Sequence, residues 1–456
     1  MKHICIGFLA LLLSGTVWSQ KEDSIFIRKV ADEILVNGKA YENLRHLTKQ
    51  IGARLAGSQG MVKAEQWGLK VMQESGADKA WMQECMVPHW VRGGKDEAKV
   101  ISPALKKDFV LDIVALGNSI GSGKSGVTEE VLLMNSFDEL EKKKDEVKGK
   151  IVFYNYKFND TYINTFLSYR DAGQYRGQGP SRAAKYGAKA VIVRSMSHAA
   201  DNNPHTGATR YDSAYAKIPA VAIGLRDADR LSELLQKGKV IVSIKTNGYF
   251  LPDTIGHNII GELKGTEFPD EIITVGGHLD SWDNCEGAHD DGAGCVQTIE
   301  IMRAFKATGY QPKRTIRFVL FANEENGLRG GNKYADEAKE KNEKHIFALE
   351  SDAGGFTPRA LGFSGSDEQF KKFMSWKELI APYGCTEFVS GGGGADIGPL
   401  NRAFKTPTAS LNPDSQRYFD IHHARSDVFE AVNKRELELG AVNMAALIYL
   451  VDKYGL

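Results

Sequence analysis

The sequence lacks a surplus of either charge: 58 basic residues face 58 acidic ones, a formal net charge of zero. No positive field is available to gather a polyanion, so nucleic acid is excluded as a partner. Cysteine is scarce, with 5 in 456 residues, which rules out a small scaffold built on disulfides. Cys85, Cys285, Cys295 and Cys385 lie beyond the N-terminal segment, and sequence cannot rank the pairings they allow. Long hydrophobic runs are missing too. The apolar run at 4–13 is shorter than the roughly 20 residues a bilayer-spanning helix takes, so no membrane anchor is expected. It follows a basic start, Met1-Lys2-His3, and precedes small-residue positions at Val17-Trp18-Ser19. That order reads as a secretory signal peptide over 1–19, leaving a secreted or periplasmic product.

At 456 residues the chain is long for one compact domain, and two are expected. Residues 20–110 read as an N-terminal helical part, helical from Ser24 to about Gly76, with Cys85 to Val91 reading as a strand. Leu44, Leu47 and Ile51, then Ala64, Trp67 and Val71, recur three and four apart, around the turn-rich connector Gly52-Ala53-Arg54-Leu55-Ala56-Gly57-Ser58. Over 111–250 the texture changes to short apolar strands (131–134, 151–154, 190–193, 221–223, 240–244), which reads as an inserted β-rich domain without a chemical motif of its own. Its Gly121-Ser122-Gly123-Lys124-Ser125 has the tail of a phosphate-binding loop. The glycine required five residues before Gly123 is Asn118, and no helix-forming run follows, so this is a turn. From 251 to 456, buried-type strands (272–275, 316–322, 346–349) alternate with helices (296–307, 333–341, 369–381, 434–454), the last opened by Asn433 and Glu436 as a capping pair. The alternation predicts a three-layer α/β/α domain with a mixed, largely parallel sheet, whose ligands bind beyond the carboxyl ends of the strands.

Three strand ends carry groups of one chemistry: His278 and Asp280, then Glu324 and Glu325, then Asp352. Asp290-Asp291 stand just ahead of a helix, and His422-His423 lie in the loop YFDIHHARSD. An acidic pair is ordinarily a solvated surface feature and a lone histidine ordinarily structural. Here the acids end buried strands, and two of only 11 histidines are adjacent. Imidazole and carboxylate together are the ligands of zinc. Counting them suggests two ions, one held by His278, Asp290 and Asp352, the other by Glu325 and His423, with Asp290 bridging, as in co-catalytic metal sites. Glu324 is then left over, placed to take a proton from water and return it to a leaving amine. Asp280 could accept the second ring N–H of an imidazole, or orient a catalytic carboxylate nearby. Cys285, between the ligands, reads as a small loop residue or a disulfide partner.

The stretches GGHLDSWD, GAHDDGAG, FANEENGLRGG, ESDAGG and HHARSD resemble the five motifs of the co-catalytic zinc peptidases, the family of the bacterial leucyl aminopeptidases and glutamate carboxypeptidase. The resemblance extends over nearly the whole mature chain, through LTKQIGARLAGSQG, VPHWVRG and the PHTG that begins at Pro204. It implies two Zn2+ ions on His278, Asp290, Glu325, Asp352 and His423, with Glu324 as general acid/base and Asp280 orienting a ligand. It also implies a cis Asp290–Asp291 peptide, a protease-associated-type insertion, a homodimer, and hydrolysis of dipeptides or short peptides with a free N-terminus. Asp396, in a glycine-rich loop, becomes the candidate partner of the substrate ammonium. Several relatives carry an oxyanion-steadying tyrosine before the last histidine; His422 stands there and is the candidate donor in its place. Asn284-Cys285-Glu286 departs from the family pattern in the first loop. The competing readings are an aminopeptidase acting on longer peptides, a single-zinc enzyme like glutaminyl cyclase, and a binding protein that has lost catalysis.

Overall fold

The computed structural model describes residues 4–101 and 108–456, with side chains from Lys21 onward. The leader read at 1–19 therefore lies outside the residues whose side chains are described. Helix Ile4–Asn37 buries Ile27, Val30, Ala31 and Ile34, the three-and-four spacing of one helical face.

One strand, β1 (Lys79–Val91), enters a first sheet before the chain leaves it. A second sheet follows, from β2 (Glu97–Ile101), β3 (Phe109–Leu111), β4 (Ile113–Ala115), β5 (Val127–Met134), β6 (Ile151–Tyr154), β7 (Ala190–Arg194), β8 (Ala220–Ile223) and β9 (Ile241–Lys245). The chain then returns with β10 (Tyr249–Leu263), β11 (Phe268–His278), β12 (Arg314–Phe321) and β13 (Lys344–Glu350). Strands β14 (Pro358–Ser364), β15 (Glu387–Ser390) and β16 (Thr408–Pro413) complete the first sheet. Its order is β1-β10-β12-β11-β13-β16-β14-β15, and that of the second is β3-β2-β9-β5-β6-β7-β8-β4.

The first sheet is mixed. Its centre, β12-β11-β13-β16, is parallel, as expected of strands buried on both faces. Its flanks are antiparallel, β1 to β10 and β10 to β12 on one side and β16 to β14 on the other. The antiparallel pairing of β1 with β10 has a physical reason. Val91 lies opposite Tyr249, so the chain leaves and re-enters at one point, where an insertion of any length disturbs the sheet least. The second sheet opens at Glu97, upstream of the change of texture at 111, because the alternately buried β2 pairs with β9, Ala98 opposite Ile244.

Helices cover both faces of the first sheet. Helix Ala293–Thr308 packs on β11 and β12 and helix Lys434–Tyr454 on β14 and β16, with the first helix against both of them; helices Arg329–Glu340 and Gly398–Phe404 cover Val319, Phe321 and Ala348. Asn433 caps the last helix by accepting from the N–H groups of Arg435 and Glu436. The Glu436 carboxylate does not complete a capping pair. It accepts instead from the Thr357 hydroxyl, and Arg417 lies 3.5 Å from it. Residues 121–125 form a turn that leads into β5.

Candidate metal centre

Strands β11, β12 and β13 are parallel neighbours, so their carboxyl ends share one edge. His278 is the last residue of β11, Glu324 and Glu325 follow β12, and Asp352 follows β13. Asp290 lies in a π turn, Ala288–Gly292, that opens helix Ala293–Thr308, and the Asp290–Asp291 peptide is cis. His422 and His423 follow the short helix Tyr418–Ile421. The backbone is held in the left-handed region at Asn323 (φ 62°), just before the glutamate pair, and at His423 (φ 61°). For His423 this conformation costs of order 1–3 kcal/mol and persists only where surrounding contacts dictate it.

These residues, distant in sequence, converge. His278 Nε2 lies 3.3 Å from both Asp290 Oδ1 and Asp352 Oδ1. On the other side of Asp290, His423 Nε2 is 3.2 Å from its Oδ2 and 3.2 Å from Glu325 Oε2. His278 Nε2, Asp290 Oδ2 and Glu325 Oε1 are buried without a hydrogen-bond partner. Buried polar atoms are almost always satisfied; orphaned nitrogen and carboxylate atoms converging from several segments are the donor set of a cation. His278, Asp290 and Asp352 form one such group and Asp290, His422 and His423 another, so the residues fit one or more zinc ions.

The second ring nitrogens are also directed. His278 Nδ1 lies 3.0 Å from the Asp280 carbonyl oxygen, and His423 Nδ1 lies 3.2 Å from that of Thr206. A ring N–H donated to each carbonyl leaves Nε2 free to face the centre. The Asp280 carboxylate is 3.8 Å from His278 Nδ1 and takes a different part. It accepts the backbone N–H groups of Glu324 (3.0 Å) and Glu325 (3.3 Å), orienting the glutamate turn. Asp427 does the same for the π turn, accepting from the N–H groups of His289 (2.8 Å) and Asp290 (3.1 Å).

Burial and mutual repulsion govern the electrostatics. Burial pushes Glu325 up to about 7, with the Asp290 charge adding to it. Glu324 rises well above the carboxylate range through burial, reinforced by Asp352 and Glu325 against the pull of His278. Burial disfavours charge on His278 and His423, yet their acidic neighbours together outweigh it and push both upward, Asp352 with Asp290 and Asp291 for His278, and Glu325 with Tyr169 and Asp290 for His423. The two carboxyls rise mainly because they are buried and the two imidazoles because carboxylates surround them, while at Asp290 burial is outweighed by the same imidazoles, which hold it well below the carboxylate range.

Above these groups opens a cleft of about 660 Å3. Glu324 lines it beside Asp290, Glu325, Asp352, His422 and His423. His422 stacks on His423 (ring centroids 3.5 Å apart), with its Nε2 3.5 Å from Asp290 Oδ2, and burial, then His423, lower its basicity. Asp396 is not brought to the cleft. It is fully buried, both carboxylate oxygens lack partners, and its loop is tied down by Glu350, which accepts from the N–H groups of Asp396 and Ile397. Cys285 does not join the donor groups, and all four described cysteines are free.

Sequence reasoning missed the opposite wall. Phe166, Tyr169, Arg176, Ala208 and Arg210 reach the cleft from the inserted segment, in which no chemical motif stood out. Arg176 Nη1 is 3.3 Å from His423 Nδ1, and the Thr206 N–H donates to the His423 carbonyl at 3.0 Å. The PHTG stretch that begins at Pro204 is the local sequence signal of this contact.

The model of "Peptidase family M28" matches residues 258–448. Carboxypeptidase Q of Homo sapiens is 36% identical over 430 residues, 93% of this chain and 88% of that protein, and carboxypeptidase Q of Xenopus laevis is 34% identical over 93% and 89%. A solved peptidase M28 precursor from Shewanella amazonensis superposes with a TM-score of 0.90 at 30% identity, covering 95% of this chain and 97% of that one. A zinc aminopeptidase from Bacillus subtilis shares the fold, with a TM-score of 0.65 at 22% identity over 90% and 94%. With a full-length relative this similar and a donor cluster at the strand ends, the chain belongs to peptidase family M28 and is a metallopeptidase.

Proposed function

We propose that the chain is an exported di-zinc exopeptidase that hydrolyses dipeptides or short peptides with a free N-terminus. The convergence of four donor side chains around Asp290, His278 and His423 beside it and Asp352 and Glu325 beside those, with Glu324 lining the cleft next to them, carries the reading. Two zinc ions, one on His278, Asp290 and Asp352 and the other on Asp290, Glu325 and His423, would acidify a water molecule and polarise the scissile carbonyl. Glu324 takes the proton of the attacking water and returns it to the departing nitrogen. Asp280 sets the angle of that carboxylate through the backbone. His422 faces Asp290 from the cleft wall and is the candidate donor to the developing oxyanion.

Export follows from the leader pattern at 1–19. Among the described residues, no helix is long and apolar enough to cross a membrane. We take the chain up to Val91 and from Tyr249 onward as the peptidase domain, the segment between them as a protease-associated-type insertion, and the functional molecule as a homodimer. Asp396 is buried and does not line the cleft, so it is left out of the proposed contacts to the substrate ammonium.

Metal analysis of the purified protein, combined with turnover of free and N-acetylated dipeptides, tests the reading. Two zinc ions per chain and turnover confined to free dipeptides are expected. One ion per chain, or equal rates on acetylated substrates, overturns it.

A further inference from the structure

The connector 52–58 has no part in the chemistry above, yet Arg54 at its centre is fully buried. Its guanidinium forms no ion pair among the described residues; it donates only to backbone carbonyls. Nε donates to Leu279 O, Nη1 to Glu286 O at 2.7 Å, and Nη2 to Gly287 O at 2.8 Å, while the Arg54 N–H donates to Ser281 Oγ at 3.3 Å. Every acceptor lies in the loop 279–287, which begins after His278 and ends shortly before Asp290. The fit is close: a Cβ on Gly287 would stand 2.3 Å from Ser281 Cβ and 2.9 Å from Arg54 Nη1. A guanidinium buried without a carboxylate pays a large desolvation penalty, so this one is more than a packing element. Only a planar fork of several donors reaches carbonyls at both ends of a loop; a lysine ammonium on its flexible stem does not.

We propose that Arg54 is a positioning residue of the metal centre, fixing loop 279–287 so that His278 and Asp290 are held at one ion. The proposal rests on reading those two residues as ligands. Zinc affinity, measured by competition with a chromogenic chelator on full-length wild type and Arg54→Lys, is the deciding quantity, with the melting temperature of each metal-free protein recorded alongside. Arg54→Lys should bind zinc about 10- to 100-fold more weakly, the usual effect of losing a residue that orients a ligand. A lower melting temperature with unchanged zinc affinity would mean a merely structural role and overturn the proposal. If Arg54→Lys does not fold, Gly287→Ala replaces it, disturbing the same clamp from the loop side with the charge retained; unchanged affinity there overturns the proposal equally. A wild-type protein that binds no zinc removes the ligand reading itself, a result distinct from either.

Discussion

At Glu324 the backbone does the positioning: its N–H donates to Asp280, and the residue lines the cleft. Glu324→Gln keeps the shape and removes the group proposed to carry the proton. It is expected to retain metal while losing about 10²- to 10⁴-fold in kcat; zinc content and kcat measured together check this. Asp280 acts one step back. Asp280→Ala leaves two backbone N–H groups, one of them fully buried, without their acceptor and should lower kcat about 10- to 100-fold with a parallel loss of zinc affinity. A drop in kcat at full zinc occupancy would separate the orientation of Glu324 from the retention of metal. That acids and histidines mattered was readable from their position at strand ends. That the Asp280 carboxylate would serve backbone amides rather than an imidazole was not, since the choice depends on the Glu324 turn, 44 positions away in the chain.

At the scale of elements, the strands that carry the site are stitched together near their other ends. Arg317 on β12 forks onto Glu343 at 2.6 and 3.0 Å and reaches Glu262 on β10 at 3.0 Å, while His345 on β13 lies 3.1 Å from Glu343. Burial would raise Glu343, but hydrogen bonds from His345 and Arg317 outweigh it and hold the carboxylate at about 2. Its ordinary value is 4.5, so the folded state keeps this group ionised where the unfolded chain binds a proton. The stabilisation is complete above pH 4.5 and is lost as pH falls towards 2. Urea midpoints of wild type and Glu343→Gln should therefore differ most above that window and converge below it; a constant difference across the range would exclude the linkage. The central strands and the long C-terminal helix were legible because apolar periodicity reports burial directly. The antiparallel flanks were not. Strand direction depends on which neighbour a segment meets, and a pattern of period two reads the same in either direction.

At the scale of the whole molecule, the insertion is a wall of the cleft rather than an appendage. Trp282, four residues beyond His278, is fully buried against Gly117 of the inserted segment; a Cβ there would lie 1.8 Å from the Trp282 ring. The same ring stands edge-on to His423, with centroids 5.7 Å apart. Arg425, just past the histidine pair, bonds Asn203 and pairs with Asp112. Gly117→Ala should push the two units apart at the site, costing about 1–3 kcal/mol of stability through overpacking and lowering kcat/KM. Gly173→Ala, in an inserted helix with open space around the added methyl, should leave kcat/KM unchanged and raise stability by about 0.5–1 kcal/mol through helix propensity. Thermal unfolding and kcat/KM of the two variants check this, and equal behaviour would refute the coupling.

The chain by itself determined the chemistry that is available: which strands are buried, where they end, and that histidine and carboxylate stand at those ends. Each is written locally, because burial shows in periodicity and an acid at the end of an apolar run is visible where it stands. Only the tertiary structure decided that the insertion closes the cleft, that Asp396 is sealed away from it, and that Arg54 grips the loop between two donors. Those outcomes depend on how surfaces dock across more than a hundred residues of chain, and a docking surface has no local signature until its partner is in place.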